Sequence, residues 1–106
     1  MTLADFKRTI VDKQPPAVLT PPLRALWHDA KGDWESAHTV AQDIDDETGA
    51  WIHAYLHRKE GDLANAGYWY RRARKPVCRE PLDVEWEEIA KALVESAGQG
   101  GSRNKP

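Results

Sequence analysis

The sequence predicts an all-α protein: two helical hairpins stacked on each other and flanked by N- and C-terminal helices. Three observations predict it. The pattern A-x-x-H-x-x-x-G-D-x-x-x-A occurs twice, Ala25, His28, Gly32, Asp33 and Ala37 returning 29 residues later as Ala54, His57, Gly61, Asp62 and Ala66. Average composition supplies about one chance match in so short a window, so identities at fixed spacing mark an internal repeat. Each Gly-Asp pair is turn chemistry, because glycine at a helix C′ position accepts a left-handed backbone and aspartate then caps the next helix. Last, Trp86, Ile89, Ala90, Leu93 and Ala97 form one stripe of a terminal helix.

The elements follow in order. Thr2 caps a short helix with Leu3, Phe6, Ile10 and Val11 inward, stopped before Gln14-Pro15-Pro16 and covering one end of the stack. Thr20-Pro21-Pro22 starts the next helix, threonine as cap and proline in the first turn, running through Leu23, Leu26 and Trp27 to Gly32. Its partner runs from Asp33 to about Ile44, with Trp34, Ala37, Ala41 and Ile44 on one stripe. The acidic link Asp45-Asp46-Glu47-Thr48 places negative charge at the N-terminus of the second hairpin, where the macrodipole favours it. Within that hairpin Ile52, Tyr55, Leu56 and Lys59 share a face, and Leu63, Ala66, Tyr70 and Ala73 recur at helical spacing until Arg74-Lys75-Pro76. Small alanines let the axes approach while aromatics fill the surrounding space. After an irregular connector from Pro76 to Pro81, Asp83 caps the last helix, Glu85, Glu87 and Glu88 occupy its first turn, and Gly98 closes it. Residues 1–97 thus read as a single helical-repeat domain and 98–106 as a disordered tail.

Length and composition bound the function. One hundred and six residues suffice for one core and not for two. A hydrophobic share of 41% with five tryptophans supports folding, and a formal charge of −2 favours neither nucleic acid nor an anionic membrane surface. The lone Cys78 excludes an intrachain disulfide. No apolar run reaches the roughly 18 residues of a membrane span, and MTLADFKRTIVDK lacks the apolar core of a signal peptide. A cytoplasmic location is expected.

The repeat resembles the tetratricopeptide repeat, in which a glycine-acidic turn is followed by a small residue and then by aromatics. Asn65-Ala66-Gly67-Tyr68-Trp69-Tyr70-Arg71-Arg72-Ala73 is similar to the second helix of Sel1-type repeats, and HAYLHRKEGD resembles small uncharacterised bacterial proteins. The period of 29 is shorter than the family's usual length of about 34, and His28 and His57 stand where the family usually has an aromatic. The resemblance implies a small protein-protein interaction module without catalysis or cofactor, taking a protein or peptide. It implies Trp51, Tyr55, Arg58 and Lys59 as the partner-facing side, while Trp51 and Tyr55 equally suit the core.

Two other chemistries are open to these residues. His53, His57 and Glu60 lie at i, i+4 and i+7 on one helix face, a spacing at which two imidazoles can share a metal, with His28 approaching from the first hairpin. The alternative is that these histidines lie between the hairpins, hydrogen-bonded and kept neutral by burial, so that acid loosens the stack. The basic run Arg71, Arg72, Arg74, Lys75 and Arg79, following Tyr68, Trp69 and Tyr70, could bind RNA by phosphate contacts and stacking. The negative net charge disfavours this, and cations at a helix end also serve the dipole. The run also complements Asp43, Asp45, Asp46 and Glu47, which leaves self-association open. For nucleophilic chemistry, Lys75 and Arg79 near Cys78 would lower its pKa, while Ser36 is better used in capping.

Overall fold

A computed structural model describes residues 1–99, with side chains through residue 96. These residues form α1 (Leu3–Arg8) continued by a 3-10 turn (Thr9–Val11), α2 (Pro21–Ala30), α3 (Trp34–Gln42), α4 (Glu47–Lys59), α5 (Leu63–Ala73) and α6 (Leu82–Gln99), and no strand. None of the described helices is long and apolar enough to cross a membrane.

The two Gly-Asp turns are built alike. Gly32 and Gly61 have φ of +83° and +90°. In the first, the Asp33 amide donates to the His28 carbonyl at 2.9 Å and the Gly32 amide to that of Asp29 at 2.9 Å; in the second, Asp62 donates to His57 at 2.9 Å and Gly61 to Arg58 at 3.0 Å. This is the paired Schellman closure that satisfies the last carbonyls of a helix. The following aspartates then cap α3 and α5, Asp33 accepting from the Ser36 amide at 3.0 Å and Asp62 from that of Asn65 at 3.2 Å. Thr2 and Asp5 form a reciprocal capping box on α1.

Other boundaries depart from the sequence expectation for local reasons. Thr20 occupies the N-cap of α2, but its hydroxyl makes no capping bond; prolines at the first two helical positions carry no N–H and leave fewer donors to satisfy. Asp83 lies inside the first turn of α6, because the Pro81 carbonyl already accepts from the amides of Val84 and Glu85 at 3.0 and 3.1 Å. Gly98 does not close α6, which runs through Gln99, so the expected tail overlaps the helix at 98 and 99 and its other residues lie outside the described part. Val11 is 84% exposed rather than inward, since tightening into the 3-10 turn ends the 3.6-residue period on which its placement depended. Leu63, first residue of α5, is 68% exposed, while its stripe mates Ala66, Tyr70 and Ala73 are buried. Ile44 falls beyond α3. It meets α4 there, since a Cβ on Gly49 would lie 2.1 Å from the Ile44 carbonyl oxygen.

α2 packs on α3, α3 on α4 and α4 on α5, while α4 also touches α2 and α6. α6 covers α1, α2 and α4. Ala25, Ala37, Ala41 and Ala54 are fully buried and permit the close approach of the axes. Around them Phe6, Leu23, Leu26, Ile52, Leu56, Trp86 and Ile89 make the main core. Three indole N–H groups tie its parts together: Trp27 donates to the Thr9 carbonyl at 3.0 Å, Trp34 to Leu56 at 2.8 Å and Trp86 to Leu26 at 3.1 Å. Trp27 and Trp86 are thus buried, and Trp34 half-buried, without orphaning a donor.

Gly32→Val and Gly61→Val are each expected to destabilise the protein by more than about 1 kcal/mol. Nothing lies within 4 Å of a Cβ at either position, so the penalty is purely conformational. Urea unfolding of both variants checks this, and wild-type midpoints would refute the left-handed turns.

Candidate functional site

α4 carries the side chains on which the structure converges. Tyr55 and Lys59 reach Asp29 of α2, the Tyr55 hydroxyl donating to Oδ2 at 2.8 Å and Lys59 Nζ to Oδ1 at 2.9 Å. Arg58 points instead toward α6 and donates to Glu85 Oε1 at 2.8 Å, while the Tyr70 hydroxyl of α5 donates to Oε2 at 2.6 Å. Asp29 is 3% and Glu85 1% exposed, so both carboxylates are buried and held by one phenol and one cation apiece. Burial, with the facing carboxylates, pushes both phenols well above their ordinary range and keeps them protonated as donors.

These contacts remove Tyr55 from the expected partner-facing side and engage two of its other residues within the chain. Tyr55 is 2% exposed and cannot meet a partner, and Arg58 and Lys59 are engaged by buried carboxylates that would otherwise lack a counter-ion. Trp51 remains half-buried, with Lys75 Nζ 4.1 Å from its ring centroid. It borders a cleft of about 480 Å³ that also includes Lys75, Val77, Arg79, Glu80 and Glu88. The rest of the basic run is partly committed within the chain. Arg72 lies over the Tyr68 and Trp69 rings at 5.8 and 5.3 Å, and Arg74, in a left-handed conformation at the end of α5, pairs with Glu47 at 3.0 Å. Arg71 is exposed on α5. The acidic and basic runs thus meet inside one chain at that last pair. Burial pushes the Cys78 thiol up, against the lowering expected from its basic neighbours, and the Ser36 hydroxyl bonds the capping Asp33 at 2.7 Å.

The histidines assemble differently from the repeat alignment. His28 packs edge-on against Trp27 and takes no part. His38 of α3 joins His53 and His57 of α4, with ring centroids 4.8 Å apart for His38 and His53, 5.3 Å for His38 and His57 and 5.7 Å for His53 and His57. Each offers a ring nitrogen within 4.8 Å of the others. Trp34 stacks on His38 at 4.9 Å and Trp69 on His53 at 4.1 Å. Glu60 Oε2 lies 2.7 Å from His57 Nδ1 and fixes that ring from outside the cluster. His53 Nδ1 is buried and has no hydrogen-bond partner. Burial, and then the neighbouring His38 and His57, lower the His53 pKa to about 4. Burial followed by His57 also lowers that of His38, against the opposing pull of Glu60 and Glu35.

Comparison with known proteins finds no matching family model, no similar curated protein and no similar solved structure. The functional reading therefore rests on these side chains.

Acid is expected to destabilise the protein through His53 and His38. The unfolded chain takes up protons near pH 6.5, whereas folded His53 does so only near 4. Stability is therefore fully present above about pH 6.5 and falls on acidification by up to about 1.4 kcal/mol per pH unit for each fully depressed histidine. Melting in chelator-containing buffer at about pH 7.5, 6 and 5 should show the loss, and His53→Gln should flatten it. An unchanged slope would mean that His53 is not held neutral.

Proposed function

We propose that the chain is a small interaction module of tetratricopeptide-like type, two hairpins α2–α3 and α4–α5 closed by terminal helices, which binds a protein or peptide and performs no catalysis. Support for the repeat comes from the identical bonding of the Gly32 and Gly61 turns at equivalent positions. The observation that carries the binding reading is the cleft beside α4, which gathers Trp51 with Lys75 and Arg79. An indole wall with cations and the carboxylates of Glu80 and Glu88 suits an extended peptide that presents an apolar side chain between charges of both signs. Arg58 stands on the same face of α4 as Trp51, and its buried partner Glu85 lines the cleft.

The test uses exposed residues, since Arg58 changes would disturb the core. Lys75→Glu with Arg79→Glu should cost no more than about 1 kcal/mol of stability, the worth of the Lys75 contact on Trp51, while abolishing stoichiometric capture of mixed-charge peptides from a displayed library. Capture that survives the double reversal would refute this cleft as the binding face.

A further inference from the structure

We propose that His38, His53 and His57 form a binding site for one divalent transition-metal ion, zinc in the first instance, with Glu60 as the outer carboxylate that orients His57. The site goes beyond the interaction reading and does not depend on it.

Four independent features converge. The three imidazoles come from two helices and face one another, each with a ring nitrogen within 4.8 Å of the others. Neutral imidazole nitrogens suit zinc, copper and nickel, and three histidines with an open fourth position are an established form of zinc coordination. Zinc–nitrogen bonds of about 2.0–2.1 Å set tetrahedral ligands roughly 3.3 Å apart, so the rings must draw together, and His38 is the least buried of the three.

The second feature is the orphan nitrogen. His53 Nδ1 is the one buried side-chain polar atom without a partner among the described residues, a condition that costs about 1–3 kcal/mol. A metal bound there satisfies it. Phenylalanine would stack on Trp69 from this position without that penalty, so packing alone does not call for imidazole.

The third is the 2.7 Å contact of Glu60 Oε2 with His57 Nδ1. When Nδ1–H donates to the carboxylate, the His57 Nε2 lone pair is left for the ion, the carboxylate-histidine arrangement that accompanies metal-ligating histidines. Burial keeps His38 and His53 unprotonated at neutral pH, as ligation requires.

The fourth is an entry path. A cleft of about 230 Å³ reaches His53 and is lined by Asp45, Asp46 and Glu47 as well as Trp69 and Arg72. Its carboxylates raise the local concentration of cations.

The experiment is titration of the full chain, purified without a polyhistidine tag and stripped with chelator, with zinc chloride and separately with cobalt(II). The expected result is one ion per chain, a rise in melting temperature with zinc, and the intense visible absorption of four-coordinate cobalt. His38→Gln, the least buried of the three, should keep the helical circular dichroism and lose the cobalt spectrum. Glu60→Gln should retain the site but weaken zinc by roughly 10–100-fold, as for an outer-shell partner. Absence of stoichiometric binding to the wild type, or binding undiminished in folded His38→Gln, would overturn the proposal.

Discussion

The rest of the structure depends on two carboxylates, Asp29 and Glu85, taken out of water and matched by donors from α4 and α5. A buried carboxylate is costly unless paired and fully hydrogen-bonded, so each admits few alternative arrangements of its neighbours. Tyr55 and Lys59 can meet Asp29 only when α4 lies against α2. Arg58 and Tyr70 can meet Glu85 only when α6 lies over α4 and α5. Such pairs select one packing more than they add net stability, and here they select the packing that sets Glu85 in the lining of the Trp51 cleft and leaves the histidine cluster on another side of α4.

Positions 29 residues apart in the chain serve opposite ends. Asp29 and Arg58 are 29 residues apart and stand at the same place before their turns, each accepting the amide N–H of the glycine three residues on at its backbone carbonyl. One carries a carboxylate and takes its cation from the second hairpin; the other carries the cation and takes its carboxylate from α6. The two positions thus contribute to a chain of interlocks running from α2 through α4 to α6. The histidine cluster breaks the symmetry in the same way, because His38 and His53 correspond across the repeat to Gly67 and Arg24.

That asymmetry also marks what was legible in the sequence. The all-helical class, the Gly-Asp turns with their caps and the alanine approach positions followed from local chemistry, because turns and caps involve neighbours in the chain. The pairing His53–His57 was readable as i, i+4 on one helix. His38 was not, since no periodicity within a helix indicates which side chain of another helix will face it. Likewise Glu85 looked like a first-turn acid serving the dipole, yet it stands four residues before Ile89 on the buried stripe. An ionisable residue in phase with the apolar stripe was the available signal there. Tyr55, Arg58 and Lys59 were placed on the partner side because the resemblance assigned that face outward, whereas α6 and α2 supply carboxylates that draw it inward.

The central claim, that buried ion pairs fix α4, is tested most directly by a double-mutant cycle on Arg58→Met and Glu85→Leu measured by urea unfolding. Arg58→Met leaves the buried Glu85 carboxylate uncompensated and should cost about 3–5 kcal/mol, whereas Glu85→Leu leaves half-buried Arg58 still bonded to the Glu80 carbonyl and should cost less. The double variant removes both charges together, and its cost should fall below the sum of the singles by more than about 1 kcal/mol. Strict additivity, with small single effects, would contradict the account and leave hydrophobic packing alone as what positions α4.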